Sequence, residues 1–324
     1  MMRTIESLAR GGAVRAAAVP VSASQRSHRG SKPRKRKQGS RVAYLYILPS
    51  FAVFATFLGW PFIQTIQYSF YTWDGLSAAT WAGLSNYIDV LTDPLLREAF
   101  LHAIVLMFFF SAIPIIVALL LTAVISRANR LRGMSFYRTI LFLPQVIASV
   151  VVATIWVSIY SQGGFLNQLL NLFGLGGLAQ VWLGSFATAL PAVGFVGTWL
   201  NFGLCLVLFL SGVGNIEPSL FEAARLDGAS VGREFFSVTL PSIRGQIAAA
   251  LTLTIVSSLK TFDLIYVTTR GGPGDSTAVP AYTAYNLAFN IGRVGSAAAV
   301  VVVLTAIILI ITVLISRLQP KGSE

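Results

Sequence analysis

Charged side chains are scarce in this sequence. Aspartate, glutamate, lysine and arginine make up 11% of the 324 residues, whereas 55% are hydrophobic. A soluble domain carries about a quarter of its residues as charged types. The composition therefore excludes an ordinary soluble protein and indicates an integral membrane protein. The net charge of +12 does not point to a nucleic-acid partner, because 11 of the 24 lysines and arginines are crowded into residues 1–41.

Residue types that carry catalytic chemistry are also nearly missing. The one cysteine, Cys205, lies inside an apolar run, so a disulfide framework is excluded. The two histidines, His28 and His102, are far apart, and no metal-ligand cluster or nucleophile–histidine arrangement is evident. The sequence has no Gly-Lys pair and hence no P-loop for ATP. We predict that the chain is not an enzyme and binds no metal or cofactor itself.

Six apolar runs follow the basic N-terminal stretch, and each approaches the roughly 20 residues that cross a bilayer. Backbone groups in lipid must be hydrogen-bonded within the segment, which favours helices. The sequence therefore predicts an all-α, polytopic membrane domain over residues 42–317. We place its six spans at residues 42–66, 100–125, 139–159, 189–213, 247–268 and 296–315.

Basic residues alternate between successive connections. Four arginines follow the second span, none lies between the third and fourth spans, and three follow the fourth. Lysine and arginine favour the cytoplasmic side, so we predict that both termini are cytoplasmic. Residues 1–41 are expected to be a disordered basic tail that signals this topology or binds anionic lipid headgroups. Residues 318–324 form a short C-terminal cytoplasmic tail in the same interpretation.

An amphipathic segment of residues 217–241, the knob, lies between the fourth and fifth spans. Pro218 suits the first turn of a helix, and we expect that helix to reach Asp227. Gly228 can take the left-handed conformation that ends it. Ser230 is a suitable N-cap for a second short helix, and Pro241 is expected to stop that helix. The sequence thus predicts a helix, a glycine turn and a second helix.

The knob resembles the EAA loop of permeases from binding-protein-dependent ABC importers of the carbohydrate type, the maltose and glycerol-3-phosphate group. The shared pattern is Glu-Ala-Ala, then Gly, then an apolar residue followed by x-Leu-Pro, and this chain departs from it only by a valine where the family has isoleucine. Shorter similarities occur at Asn86-Tyr87, Asp93-Pro94, Phe142-Leu143-Pro144 and Gly271-Gly272-Pro273. The residues that the resemblance assigns to ATPase coupling are Glu222, Ala223, Ala224, Asp227, Gly228, Val238, Leu240 and Pro241.

The resemblance implies a type I importer permease in a prokaryotic cytoplasmic membrane. It implies a second permease subunit, forming a heterodimer with this chain. It further implies two cytoplasmic ATPase subunits that use ATP and magnesium, and an extracytoplasmic solute-binding protein. The expected function is passage of a sugar or oligosaccharide. The alternatives left open are another solute, such as glycerol phosphate or an amino acid, an ATP-independent secondary transporter, and a membrane scaffold or sensor.

Ionisable residues within a span are costly and usually functional. Lys260 and Asp263 both fall in the predicted fifth span, where a spacing of three places them on one helical face. They could contact solute, or they could be a structural pair that fixes helix packing. Hydroxyls, amides and aromatic faces nearby suit a neutral sugar. The predicted solute pathway consists of Trp199, Asn201, Ser257, Lys260, Phe262, Asp263 and Tyr266.

Overall fold

The computed structural model describes residues 40–125 and 134–318. The predicted basic tail (except for its last two residues), the arginine-rich connection after the second span and the last six residues lie outside this part of the chain. Helices dominate the described residues, which also contain one two-stranded hairpin. The helices are α1 Ser40–Phe54, α2 Trp60–Tyr68, α3 Ser85–Thr92, α4 Pro94–Met107, α5 Ile113–Ile125, α6 Met134–Val146, α7 Ser149–Tyr160, α8 Phe165–Leu172, α9 Ala189–Gly214, α10 Pro218–Leu226, α11 Val231–Glu234, α12 Leu240–Ser242, α13 Arg244–Leu259, α14 Asp263–Thr268, α15 Pro280–Tyr285 and α16 Val294–Leu318.

Within the described residues, three π-helical segments join consecutive helices without a break, and a fourth extends α15. The π segments are Ala55–Gly59, Phe108–Ala112, Phe235–Thr239 and Asn286–Asn290, and a 3-10 turn covers Gly176–Leu178. Strands β1 Tyr71–Thr72 and β2 Thr80–Trp81 pair antiparallel.

Helix α1 belongs to a separate compact unit that ends at Phe54, and its side chains from Tyr44 onward are exposed.

Five helical segments within the described residues are long and apolar enough to cross a membrane, and the count reaches six if the bent pair on either side of Ile243 is one span. The predicted helical, polytopic membrane fold is therefore confirmed. The five segments are Tyr44–Tyr68, Pro94–Ile125, Ser149–Leu172, Ala189–Gly214 and Val294–Arg317, and the bent pair is Val231–Ser242 with Arg244–Leu259.

The predicted third span, residues 139–159, is wrong as a single helix. Helix α6 ends at Val146 and α7 begins at Ser149. Pro144 lies inside α6, where its missing N–H and its ring weaken the helix, and the chain leaves the helical region within one turn. The connection between the third and fourth predicted spans contains a further helix, α8.

The predicted fifth span, residues 247–268, is also interrupted. Helix α13 ends at Leu259, and α14 begins at Asp263. Lys260 caps the C-terminal end of α13, whereas Asp263 lies in the first turn of α14. A helix dipole favours a positive charge at the C-terminal end and a negative charge at the N-terminal end, and Lys260 and Asp263 match this pattern. The two residues do not share a helical face, contrary to the sequence prediction.

Helix α9 lies at the centre of the packing. Its buried residues include Val193, Val196, Leu206 and Phe209, and Cys205 is wholly buried among them. Small residues let neighbouring helices approach closely in membrane proteins. A Cβ at Gly197 would overlap the ring of Phe110 from the π segment of the second span, so this glycine sets the distance between the two helices.

A buried amide joins both ends of the compact unit that starts at Ala55. Asn86, 5% exposed, lies on α3, between the first and second predicted spans. Its Nδ2 donates to the carbonyl oxygens of Ser69 and Tyr71 at 2.9 and 3.0 Å. Its Oδ1 accepts from the hydroxyl of Ser296 in α16 at 3.1 Å. The hairpin and the last span are thus held by one side chain, and we call this group the Asn86 hub.

Candidate functional site

The first half of the knob follows its local sequence signals. Helix α10 begins at Pro218, and Gly228 has φ +75°. The amide of Gly228 donates to Arg225 O at 3.0 Å, and the amide of Ala229 donates to Ala224 O at 2.9 Å. These two bonds form a Schellman motif, which satisfies the last carbonyls of a helix. A Cβ at Gly228 would meet nothing within 4 Å, so the backbone angle alone requires glycine there.

The second half of the knob departs from the prediction at its end. Ser230 caps α11 as expected, with its Oγ accepting from the amide of Arg233 at 3.4 Å. The chain then runs through a π segment and on through Pro241 to Ser242. Pro241 therefore does not stop the helix, because it occupies the first turn of α12, where no N–H is needed. The axis instead bends by 68° between α12 and α13.

An ion pair ties the two halves of the knob together. Arg225 Nε lies 3.1 Å from Glu234 Oε2, and the Glu234 side chain is only 7% exposed. The hydrogen bond to Glu234 and its negative charge raise the pKa of Arg225 above its usual range. Sequence reasoning missed this pair, although opposite charges nine residues apart across a glycine turn are a readable signal. The pair fixes the angle between α10 and α11.

The outer surface of the knob combines charge with exposed apolar side chains. Of the residues assigned to coupling, Glu222, Ala223, Asp227, Gly228 and Pro241 are exposed, whereas Ala224, Val238 and Leu240 are half-buried. Leu226 is 88% exposed beside them, and Val231 and Phe236 are also exposed. Charged and apolar groups displayed together in this way are typical of a protein-binding surface.

Replacement of Arg225 with glutamate is expected to loosen the knob, because it places two carboxylates where an ion pair stood. Chymotrypsin cleavage at the exposed Phe236 should become several-fold faster, and Arg225→Glu combined with Glu234→Arg should partly restore resistance. Arg233→Glu is the matched control, since Arg233 is exposed and its side chain has no ion pair within the described residues. Equal cleavage rates in Arg225→Glu and Arg233→Glu would contradict this role for the pair.

A polar cavity of about 520 Å³ lies where the interruptions of the third and fifth predicted spans meet. Five of the seven residues predicted for the solute pathway line it, namely Asn201, Ser257, Lys260, Phe262 and Asp263. The other two lie elsewhere. Trp199 makes an edge contact with Trp156 at 5.8 Å between ring centroids, and Tyr266 stacks on Phe262 at 5.3 Å. The remaining lining residues are Phe110, Gln145, Ile147, Ser149, Leu200, Leu253, Val256, Thr261 and Leu264.

The two charged groups in the cavity do not pair with each other. Asp263 Oδ2 accepts a hydrogen bond from Ser149 Oγ at 2.9 Å, which links the start of α14 to the start of α7. Within the described part of the chain, the Lys260 ammonium has neither an ion pair nor a side-chain hydrogen bond. The alternative of a structural Lys260–Asp263 pair is therefore wrong. Both groups are exposed to the cavity.

The predicted solute pathway lacks three polar lining residues, Gln145, Ser149 and Thr261. Gln145 directly follows Pro144 inside an apolar run, and a polar amide beside a proline was an available signal of a helix interruption. Asn201 lines the cavity, but its amide donates to Gly197 O within α9 at 2.9 Å. The free donors and acceptors therefore come mainly from the helix ends. Such an arrangement can bind a hydroxyl-rich solute beside an aromatic face.

Comparison with known proteins agrees with this architecture. The sequence is 32% identical over 286 residues to the probable ABC transporter permease protein YurN of Bacillus subtilis (strain 168), covering 88% of this chain and 96% of that protein. It is 32% identical over 313 residues to the diacetylchitobiose uptake system permease protein NgcF of Streptomyces coelicolor, covering 91% and 88%.

Solved structures show the same fold. A chain from the crystal structure of a bacterial ABC transporter involved in the import of the acidic polysaccharide alginate matches with a TM-score of 0.70 at 24% identity, over 86% of this chain and 96% of that one. The family model for the binding-protein-dependent transport system inner membrane component matches residues 105–323. The chain belongs to this family of binding-protein-dependent transport permeases, as the resemblance at the knob predicts.

Proposed function

We propose that this chain is a permease subunit of an ABC importer that passes a sugar or oligosaccharide across the cytoplasmic membrane. The observation that carries the proposal is the polar cavity at the interrupted spans, which combines hydroxyls, amides, two charges and the ring of Phe262. Relatives support the solute class, since they include permeases named for diacetylchitobiose, for multiple sugars and for trehalose and maltose. Sugars suit such a cavity because they offer many hydroxyls and apolar ring faces.

The knob is the proposed contact with an ATPase subunit. Helix α13 follows the knob directly, and its residues Leu253, Val256 and Ser257 line the cavity. Ile243, at the bend, is wholly buried in one cluster with Leu206 and Phe209 of α9. A displacement of the knob would therefore move α9 and α13, two of the helices that line the cavity. Rigid-body switching of this kind is common in two-state assemblies.

The proposed assembly contains a second, different permease subunit, two ATPase subunits that hydrolyse ATP with magnesium, and an extracytoplasmic solute-binding protein. In this arrangement the knob and both termini face the cytoplasm. The basic connection that contains Arg127, Arg130 and Arg132 lies on the same side, as the distribution of lysine and arginine supports.

Thiol labelling tests this orientation. Gly177 is exposed, and a Cβ added there would meet nothing within 4 Å, so a cysteine at this position should react in intact cells with a membrane-impermeant maleimide. A cysteine at Arg130 should react only after the membrane is permeabilised. The native Cys205 is wholly buried and adds no background. Labelling of position 130 but not 177 in intact cells would reverse the proposed orientation.

Uptake by the reconstituted assembly tests the function itself. The chain should copurify with the second permease and the ATPase. Vesicles that contain the complex and the binding protein should accumulate a radiolabelled disaccharide in an ATP-dependent, vanadate-sensitive manner. Uptake that continues without the ATPase would instead indicate a secondary transporter. A purified chain with no ATPase partner and no uptake would indicate a scaffold or sensor.

Replacement of Lys260 with methionine is expected to lower uptake about tenfold, which corresponds to the loss of one charge-assisted hydrogen bond to solute. The amount of folded protein should stay normal, because the ammonium is exposed to the cavity and makes no ion pair within the described residues. Lys260→Arg is the matched control that keeps the charge. A fall in folded protein with unchanged uptake per molecule would assign Lys260 a structural role.

A further inference from the structure

Four aromatic rings form a continuous series that starts in the cavity, and we call them the aromatic ladder: Phe262, Tyr266, Tyr285 and Phe289. The centroids of Phe262 and Tyr266 are 5.3 Å apart, and those of Tyr266 and Tyr285 are 5.4 Å apart. Tyr285 also lies 5.1 Å from Phe262 and 5.1 Å from Phe289. These distances are within the range of favourable ring contacts, so the four rings form one connected surface.

The ladder joins two segments of the chain, α14 and the end of α15 with the π segment that continues it. Phe262 and Tyr266 lie at and within α14, one helical turn apart, and Phe262 lines the cavity. Tyr285 ends α15, and Phe289 lies in the π segment that continues it. Residues 269–295 lie between the fifth and sixth predicted spans, so the last two rings are not part of the predicted solute pathway. The ladder thus runs from the cavity to the connection between the fifth and sixth predicted spans.

The ladder lies on the exposed side of α14. Leu264 and Ile265 point into the core and are buried, whereas Tyr266 is exposed. Phe289, at the far end, is 76% exposed. Rings that served only to fill the core would be buried like Leu264 and Ile265. Phe262 and Tyr285 are half-buried, so all four rings keep some accessible surface, and Tyr266 and Phe289 offer the most of it to a ligand.

Polar groups accompany the ladder at both ends. At its outer end, Asn290 donates to Asn286 Oδ1 at 2.8 Å, and Asn290 is exposed. At its inner end lie the Lys260, Asp263 and Thr261 side chains of the cavity. The tyrosine hydroxyls add a donor and acceptor at each middle ring. A pyranose ring has a matching chemistry, with an apolar C–H face bordered by hydroxyls.

We propose that the aromatic ladder is a binding track for consecutive pyranose rings of an oligosaccharide, which leads between Phe289 and the polar cavity. This proposal rests on the proposed function, and it narrows the solute to an oligosaccharide of at least two pyranose rings. A longer oligosaccharide contacts more of the ladder at once. The rings nearest Phe289 therefore matter more for a trisaccharide than for a disaccharide.

The first test measures uptake kinetics in the complete reconstituted complex with maltose and maltotriose, and with diacetylchitobiose and triacetylchitotriose. Phe289→Ala should lower kcat/KM for the transported trisaccharide about fivefold, in keeping with one lost aromatic contact. The effect on the matching disaccharide should be smaller. Phe173→Ala is the matched control, because Phe173 is 70% exposed and lies outside the ladder; it should leave both values unchanged.

The second test does not require transport. In the same complex, Asn290→Cys keeps all four rings and places a thiol beside Phe289, and the buried Cys205 contributes no background. The trisaccharide, delivered by the binding protein, should slow maleimide labelling of this thiol several-fold. Gly177→Cys is the control that should not be protected.

The outcomes separate the track from the proposed function. Suppose that the wild-type complex transports sugar, but Phe289→Ala changes kcat/KM equally for the trisaccharide and the disaccharide. That result overturns the track and leaves the importer assignment intact. The same conclusion follows if none of the four sugars protects Asn290→Cys from labelling. Loss of the copurified second permease in Phe289→Ala also overturns it, since the ladder would then be a subunit interface. Absence of ATP-dependent uptake of any sugar by the wild type would defeat the proposed function instead.

Discussion

Replacement of Glu222 with lysine is expected to abolish solute uptake while the membrane domain stays folded. Glu222 is exposed on α10 and is not needed for packing. In the proposed assembly its carboxylate faces a basic or amide-rich surface of the ATPase. Reversal of its charge turns attraction into repulsion, and like charges across an interface cost several kcal/mol. Copurified ATPase and solute-stimulated ATP hydrolysis should both fall by at least tenfold.

Gly228 provides an independent route to the same result. Its φ of +75° is one that a β-branched residue adopts only at a penalty, so Gly228→Val should distort the turn between α10 and α11. Gly228→Asn is the matched control, because asparagine tolerates this region and no neighbouring atom lies within 4 Å of the new Cβ. Normal ATPase copurification and hydrolysis in both Glu222→Lys and Gly228→Val would falsify the assignment of the knob to coupling.

Replacement of Gly295 with alanine is expected to cause the largest loss of folded protein. A Cβ at this position would overlap the backbone oxygen of Tyr71 and would also crowd Asn86 Nδ2. The overlapped atom is part of the backbone, which cannot rotate away as a side chain can. Overpacking of this kind costs about 3 kcal/mol or more, and here it would also strain the Asn86 hub.

The yield of monodisperse protein in detergent should therefore be several-fold lower for Gly295→Ala than for the wild type. The protein that remains folded should have a lower unfolding temperature. Gly214→Ala is the matched control, since a Cβ at the end of α9 would meet nothing within 4 Å. If both variants gave wild-type yield and unfolding temperature, the close approach of α16 to the hairpin would not matter for stability.

Local signals were enough to predict the start of each helix of the knob and the glycine turn between them. Pro218, Gly228 and Ser230 each act through their own backbone or the next three residues, so their effects can be read from sequence alone. The end of the knob was predicted wrongly because proline has two opposite local meanings. It stops a helix from within but is accepted in the first turn of a new one, and the bend at Ile243 depends on burial against α9.

The interruptions of the third and fifth spans could not be predicted from hydropathy, because an apolar window counts residues without regard to helix ends. The charges of Lys260 and Asp263 were noticed as functional candidates but not as helix-end signals. The cavity also needs Ser149, which is 114 residues from its hydrogen-bond partner Asp263. Such long-range pairs leave no local pattern. The coupling and solute-pathway roles of these residues stay predictions.

The Asn86 hub has a consequence for synthesis in the membrane. Its bond to Ser296 joins residues 210 positions apart. At about 5–20 residues per second, a ribosome needs roughly 10 to 40 s to make the intervening chain. Throughout that interval the amide oxygen of Asn86 lacks its final partner, and the N-terminal hairpin lacks the helix that covers it. Nascent chains that stall before the last span therefore leave the Asn86 hub incomplete.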